Sequence, residues 1–231
     1  MTPRNVLQFR VDDAGAEELA NDAGFDAVPI SRLDGRVLDF WDRAERRRVR
    51  IRRVHRAAHD ASIESLLKPL GAHLVQFVYY RSEVVGLIDA SDLNRPVARI
   101  AWLQPMLELE RAILDAIRIH RISESEQGSA LGRSAAGVRR RQANAKGQNL
   151  DMQLLEYAYF KDLLVAANYL GLLHLDESDI KHLNRIRSRA AHSGDFVVQS
   201  RDQCAQLRDA LRMARISARQ VRGIRHRVPQ Q

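Results

Sequence analysis

The 231-residue sequence contains one cysteine, Cys204, and no apolar run that approaches the about 18 residues of a membrane-spanning helix. A single cysteine excludes an internal disulfide framework and suits a reducing compartment. The first ten residues lack the apolar segment of a secretory signal. We therefore expect a cytoplasmic protein that makes no membrane contact.

Several ligand-binding motifs are also missing. No Cys/His cluster has zinc spacing, and the sequence contains neither a P-loop nor a GxGxxG motif. We expect no metal site and no required cofactor. Hydrophobic residues make up 45% of the chain, which excludes general disorder.

Acidic residues are absent after Asp209, whereas arginines continue to the end of the chain, and the net charge is +8. Two further basic clusters lie in residues 43–56 and 133–146. Such clusters favour phosphate-rich partners, although a solvated basic surface is the alternative. RNA is the expected partner, and the candidate nucleic-acid contacts are Arg139, Arg140, Arg141, Arg219 and Arg222.

The first hundred residues contain two similar segments. Each has a short helical pattern followed by two apolar strand patterns with a polar turn between them. The predicted helices are Ala16–Ala23 and Ser62–Leu70, and the predicted hairpins are 25–41 and 74–88. An internal duplication of helix, strand, turn and strand is the expected organisation.

This repeat resembles a tandem pair of CBS domains, which bind adenosine-containing ligands. Val28, Pro29 and Ile30 fit the family's hydrophobic-Pro-Val strand, and the segment from Gly86 to Asp92 fits its Gly-h-h-(Thr/Ser)-x-x-Asp element. Asp89 stands where the family has a hydroxyl residue. The resemblance implies an adenine nucleotide as a regulatory ligand, contacted by Val28, Pro29, Ile30, Gly86 and Asp92, with Asp92 accepting from ribose hydroxyls.

From Pro96 onward the patterns are helical. Apolar spacing predicts a helix from Pro105 to about Ile122, a very apolar helix over Met152–Leu173 and a last helix after Ser200. The polar segment 123–149 between the first two is expected to be a loop. A further helix should begin at an Asp176 N-cap.

Arg187 lies on the apolar face of that further helix, about 20° from Ile180 on an ideal wheel. An arginine there needs an anionic partner, for which Glu108, Glu110 and Asp162 are candidates. His192 follows about 140° further round. Read from the residues alone, the two form either a functional pair or an internal ion-pair member and an exposed cap.

The segment Ile186-Arg-Ser-Arg-Ala-Ala-His192 resembles the Arg-x4-6-His signature of HEPN domains, on the third helix of a four-helix bundle. Ser188 stands where that family usually has Asn, Asp or His. The resemblance implies metal-independent RNA cleavage, with His192 moving protons, Arg187 holding the phosphate and Ser188 adding a hydrogen bond. It also implies a homodimer whose two motifs face each other.

The expected fold class is α+β: a CBS-pair-like regulatory domain over residues 1–97, an all-α HEPN-like bundle over 98–220 and a basic tail over 221–231. The expected function is a metal-independent endoribonuclease gated by a nucleotide on the CBS-like half. The alternatives are a non-catalytic RNA- or nucleotide-binding regulatory protein of the same fold, and an adaptor in which Arg187 is only a buried ion-pair member.

Overall fold

The computed structural model describes residues 13–73, 75–148, 152–192 and 194–224. Helices and two small sheets make this a mixed α+β protein, which confirms the predicted class. The chain divides into two compact units. The first extends to Ala101 and also includes Phe196–Arg208, and the second comprises Trp102–Asp195 and the chain from Asp209. The first predicted boundary lay four residues earlier and placed 196–208 with the helices.

The first sheet follows helix α1 (Asp13–Asp22) and has the strand order β1-β2-β3. Strands β1 (Ala27–Ser31) and β2 (Val37–Asp42) are the predicted hairpin, and they pair antiparallel. Strand β3 (Arg47–Arg50) was not predicted, because three of its four residues are arginine and carry no apolar alternation. It forms because β2 offers it an antiparallel edge.

The second sheet has the order β4-β5-β6. Strands β5 (Val75–Tyr80) and β6 (Glu83–Asp89) form the second predicted hairpin. The short strand β4 (Arg56–Ala58) adds to β5 in parallel, and helix α2 (Leu67–Ala72) with the preceding 3₁₀ turn provides the crossover. Phe77 of β5 packs on Phe40 of β2 with ring centroids 5.3 Å apart, so the two sheets share a core.

Helix α3 (Pro96–Ile119) begins nine residues before Pro105, which therefore lies inside the helix and not in its first turn as predicted. The earlier start is supported by Ala98 and Trp102, which are fully buried. Pro105 has no N–H to donate to the carbonyl of Ala101, so the helix continues with one hydrogen bond fewer. Burial of apolar side chains outweighs that loss.

The predicted loop 123–149 is wrong, because two helices occupy most of it: α4 (Glu124–Leu131) and α5 (Ala135–Lys146). Ser123 caps α4, accepting from the backbone of Glu126, whose side chain bonds back to Ser123. Each helix buries only a narrow face, which the many arginines and serines conceal in the sequence. That face consists of Gln127, Gly128, Ala130, Leu131, Val138 and Gln142.

The single helix predicted over Met152–Leu173 is also wrong. A 3₁₀ turn (Leu154–Tyr157) precedes helix α6 (Phe160–Tyr169), and the backbone at Ala158 between them is extended. The turn is fixed by Leu154 and Leu155, both buried, and by Gln127, whose side-chain oxygen accepts from the Leu155 N–H at 3.2 Å. Tertiary contacts thus override an apolar pattern that reads as one helix.

The last two helices follow the prediction closely. Helix α7 (Glu177–Ala191) has the predicted Asp176 N-cap, whose Oδ1 accepts from the Asp179 N–H at 2.7 Å. Helix α8 (Arg201–Ile224) begins directly after Ser200. The predicted basic tail therefore starts inside α8, and its residues 225–231 lie outside the described residues.

Candidate functional site

The Arg-x4-His segment forms the C-terminal end of α7. His192 is the helix C-cap, with φ −98° and ψ 121°, and its N–H donates to the carbonyl of Ser188 at 3.1 Å. The imidazole is exposed, and Ser188 is half-buried. The helix thus presents an imidazole to solvent at its C-terminal end.

Arg187 lies on the inward side of α7, half-buried, next to Glu110 of α3. Burial raises the pKa of the Glu110 carboxyl, and the positive charge of Arg187 lowers it again in part. The Nε of Arg187 and the Oε2 of Glu110 are both buried without a hydrogen-bond partner. The two side chains therefore interact through their charges, while these two buried atoms make no hydrogen bond.

Of the three candidate carboxylates, Glu110 is the one beside Arg187, whose positive charge lowers the pKa of that carboxyl. Glu108 instead accepts from Gln104 Nε2 at 3.1 Å, and Asp162 accepts from Ser134 Oγ at 2.8 Å. Sequence spacing alone left all three as candidates. The choice depends on how α3 and α6 are rotated.

A second polar pair, His182 and Arg185, lies just before Arg187 on α7 and was missed from the sequence. Arg185 Nη2 is 2.9 Å from His182 Nδ1, and both side chains line a shallow surface cavity with Lys181, whose ammonium pairs with Glu177 at 2.6 Å. The i,i+3 spacing of His182 and Arg185 was the available signal. The pair adds positive charge near the Arg-x4-His segment along the same helix.

The candidate nucleic-acid contacts lie on helices and not on a loop or a tail as predicted. Arg139 and Arg140 are exposed on α5, and Arg219 and Arg222 are exposed on α8. Arg141 is half-buried: its Nε donates to the Tyr157 carbonyl at 2.8 Å, and its guanidinium lies 4.1 Å from the centroid of the Tyr159 ring. Four of the five arginines are thus accessible to a phosphate, whereas the guanidinium of Arg141 is held by contacts within the protein.

In the first unit, the carboxylate of Asp92 contacts residues that are close to it in the sequence. Its carboxylate is only 5% exposed, lies 2.7 Å from Arg95 Nε and accepts from the Asp89 N–H at 3.1 Å. Asp89 reciprocates by accepting from the N–H groups of Ser91 and Asp92. The predicted ribose acceptor is therefore also one half of a capping box that begins the short helical turn after β6.

Asp92 nevertheless lines a cavity of about 510 Å³ on the second sheet. Its walls are mostly apolar, from Val78, Val85, Leu87 and Ile63, and Asp92 and Arg95 are polar groups of its lining. His59 and Tyr80, which also line it, make an edge-to-face contact with centroids 4.8 Å apart. This aromatic pair was not predicted, although the sequence has two tyrosines and an arginine, Tyr79-Tyr80-Arg81, at the end of a strand.

The other predicted cofactor residues are part of the core and do not line that cavity. Val28 and Ile30 are buried against Ala16 and Ala20 of α1, and Pro29 pairs with Phe40 across β1 and β2. Gly86 is buried in β6 opposite Val78. The side chains of Val28 and Ile30 fill space between α1 and the sheet, which explains an apolar strand without any ligand.

No family model, curated protein or solved structure matches this chain. Within the described ranges, no group of three or more His, Cys, Asp or Glu side chains is arranged to hold a metal ion. Among the helices described, none is long and apolar enough to cross a membrane.

Proposed function

We propose that this chain is a metal-independent endoribonuclease of the HEPN type, regulated by a nucleotide on a CBS-like first unit. The observation that carries the proposal is the end of α7, where an exposed histidine follows a half-buried arginine by five residues. An imidazole titrates near neutral pH, and a guanidinium matches phosphate oxygens, so the two side chains have the chemistry that RNA cleavage requires.

In the proposed reaction, the 2′-oxygen of the substrate attacks the adjacent phosphorus and the bond to the 5′-oxygen breaks. His192 accepts the 2′-hydroxyl proton, and a cyclic phosphate and a 5′-hydroxyl are formed. Arg187 stabilises the charge on the phosphorane, and Ser188 adds a hydrogen bond. A homodimer would bring a second His192 to protonate the leaving oxygen.

RNA would be held by arginines away from the motif. Arg139 and Arg140 on α5, and Arg219 and Arg222 on α8, are exposed cations that can contact phosphates without reading sequence. The regulatory ligand would be an adenosine compound in the cavity beside Asp92. Its apolar walls suit a base, and the polar end at Asp92 and Arg95 suits ribose hydroxyls.

The second candidate is a non-catalytic RNA- or nucleotide-binding regulatory protein of the same fold. The position of Arg187 favours it, because its charge acts on the half-buried Glu110 inside the helical unit. Ser188 at the family's Asn, Asp or His position favours it too. In this reading α7 is a structural helix, and only the exposed arginines contact RNA.

The test is cleavage of labelled RNA in the presence of EDTA, by the wild-type chain and by His192→Ala. We expect wild-type cleavage and none with the variant. The matched control is His174→Ala, because His174 is also an exposed histidine of the second unit. Salt-dependent RNA binding without cleavage would establish the second candidate, and the absence of both would exclude the two together.

A further inference from the structure

A second cavity of the first unit lies beside β3 and is rich in arginine. Its volume is about 530 Å³, within the range of small-molecule sites. Two carboxylates, Asp42 and Glu45, also line it. Its cationic lining residues are Arg47, Arg48, Arg50, Arg52 and Arg201.

The two carboxylates are already engaged by local groups. Asp42 Oδ1 accepts from the N–H groups of Ala44 and Glu45 at 3.0 and 3.1 Å, and Glu45 pairs with Arg47. These contacts fix the turn between β2 and β3. Of the two carboxylates, Glu45 therefore compensates the charge of Arg47, and Asp42 accepts from backbone N–H groups of the turn.

The arginines differ in what they contact. Arg48 pairs with Asp39 at 2.7 Å and with Asp13 at 3.2 Å. Arg50, Arg52 and Arg201, in contrast, form no ion pair with any carboxylate of the described residues. Because β3 alternates, Arg50 lies on the same face as Arg48, opposite to Val49. Arg50, Arg52 and Arg201 are therefore the cations of the lining that no carboxylate of the described residues compensates.

An imidazole, that of His55, also lines the cavity. His55 Nδ1 accepts from the Arg52 N–H at 3.2 Å, and its ring contacts Phe40 and His73 edge to face, with centroids 5.5 and 4.9 Å apart. Burial lowers the pKa of His55, and so do the positive charges of His73 and Arg52. His55 thus contributes a hydrogen-bond acceptor and ring contacts to the cavity, and these contacts do not require a charge on the imidazole.

We propose that this cavity binds a diphosphate group, supplied either by a nucleotide or by inorganic polyphosphate. Three guanidinium groups without an ion-pair partner among the described residues, Arg50, Arg52 and Arg201, provide planar pairs of donors that match phosphate oxygens. Phe40, Val49 and Val75 in the same lining offer an apolar surface for the organic part of a nucleotide. The site is separate from the cavity beside Asp92 and does not depend on the proposed ribonuclease activity.

The experiment is isothermal titration calorimetry of the full chain with ATP and with inorganic pyrophosphate at physiological salt. Arg52→Gln/Arg201→Gln should weaken binding by about tenfold or more for each arginine removed. The control Arg36→Gln/Arg111→Gln makes the same charge change at two exposed arginines outside the cavity, and its affinity should equal that of the wild type. ATP binding alone identifies a nucleotide, and equal binding of both probes identifies the diphosphate itself.

The proposal is overturned if neither probe binds the wild-type chain, or if the control loses as much affinity as the cavity variant. It is also overturned if sulfate at equal ionic strength displaces the probe equally well, which would indicate non-specific charge attraction. Asp92→Asn must leave the binding of pyrophosphate unchanged, because a loss of pyrophosphate binding in that variant would place the diphosphate in the other cavity. If the melting temperature of the double variant is lower than that of the wild type, the single variant Arg201→Gln, at an exposed position, replaces it in the binding experiment.

Discussion

The positive charge of Arg187 on α7 lowers the pKa of the Glu110 carboxyl on α3, and each side chain keeps one buried polar atom, Nε and Oε2, without a hydrogen-bond partner. Burying a charge is costly, and a partner offsets that cost only in part when hydrogen bonds are missing. The pair is therefore retained at some cost in stability.

The first prediction concerns this pair. Arg187→Ala leaves the Glu110 carboxyl buried without its cation, so the free energy of unfolding should fall by about 1–3 kcal/mol. Adding Glu110→Gln should recover part of the loss, because the amide carries no charge to desolvate. Urea unfolding of the two single variants and the double variant measures the coupling. Additive effects would contradict the pairing.

The second prediction separates catalysis from stability at the same position. Arg187→Lys keeps the charge that Glu110 requires but loses the planar fork, so RNA cleavage should fall at least about tenfold. Its melting temperature should drop less than that of Arg187→Ala. If Arg187→Lys cleaves RNA as fast as the wild type, the guanidinium has no role in phosphate binding.

The third prediction concerns the cavity beside Asp92. Asp92→Ala removes the ion pair with Arg95 and the acceptor for the Asp89 N–H, so the unliganded protein should lose about 1–3 kcal/mol of stability. Ligand at 100 times its Kd should add about 2.7 kcal/mol to the wild type and less to the variant. Thermal-shift measurements with millimolar adenosine compounds give both values. No shift of the wild type by any adenosine compound would leave the cavity a purely architectural feature.

The fourth prediction is a pH dependence. The pKa of His55 in the folded chain lies below its ordinary value of 6.5, because of burial and the charges of His73 and Arg52, with Asp42 opposing them. As the pH falls below about 6.5, the unfolded chain therefore takes up a proton at this histidine before the folded chain does. The free energy of unfolding should decrease as a result. His55→Gln removes the titration, so its unfolding free energy should vary less between about pH 5 and pH 7. Equal slopes for variant and wild type would contradict this prediction.

The hairpins and the two last helices were predictable because their signals are local. Asp176 and Asp179 specify the start of α7, and the alternation of β5 and β6 specifies a hairpin. The resemblances to CBS and HEPN proteins remain predictions. The residues on which these resemblances rest lie in a strand, in a turn and at the end of one helix.

Other elements depend on partners that are far away in the sequence. Strand β3 is almost entirely arginine and pairs only because β2 is beside it, while the buried faces of α4 and α5 are too narrow to be recognised among polar residues. Asn94 shows the same limit. Its side chain accepts from the N–H groups of Val197 and Val198 at 2.8 and 2.9 Å, more than a hundred residues away.

The sequence by itself determined the class of fold, the basic charge and the positions of Arg187 and His192 on one helix, because composition and helical periodicity are properties of neighbouring residues. Only the tertiary structure decided that Arg187 is beside Glu110, that Asp92 is paired with Arg95, and that the arginines around β3 line a cavity. These relationships depend on the packing of elements distant in sequence or on the rotamers that packing imposes, and no local pattern encodes either.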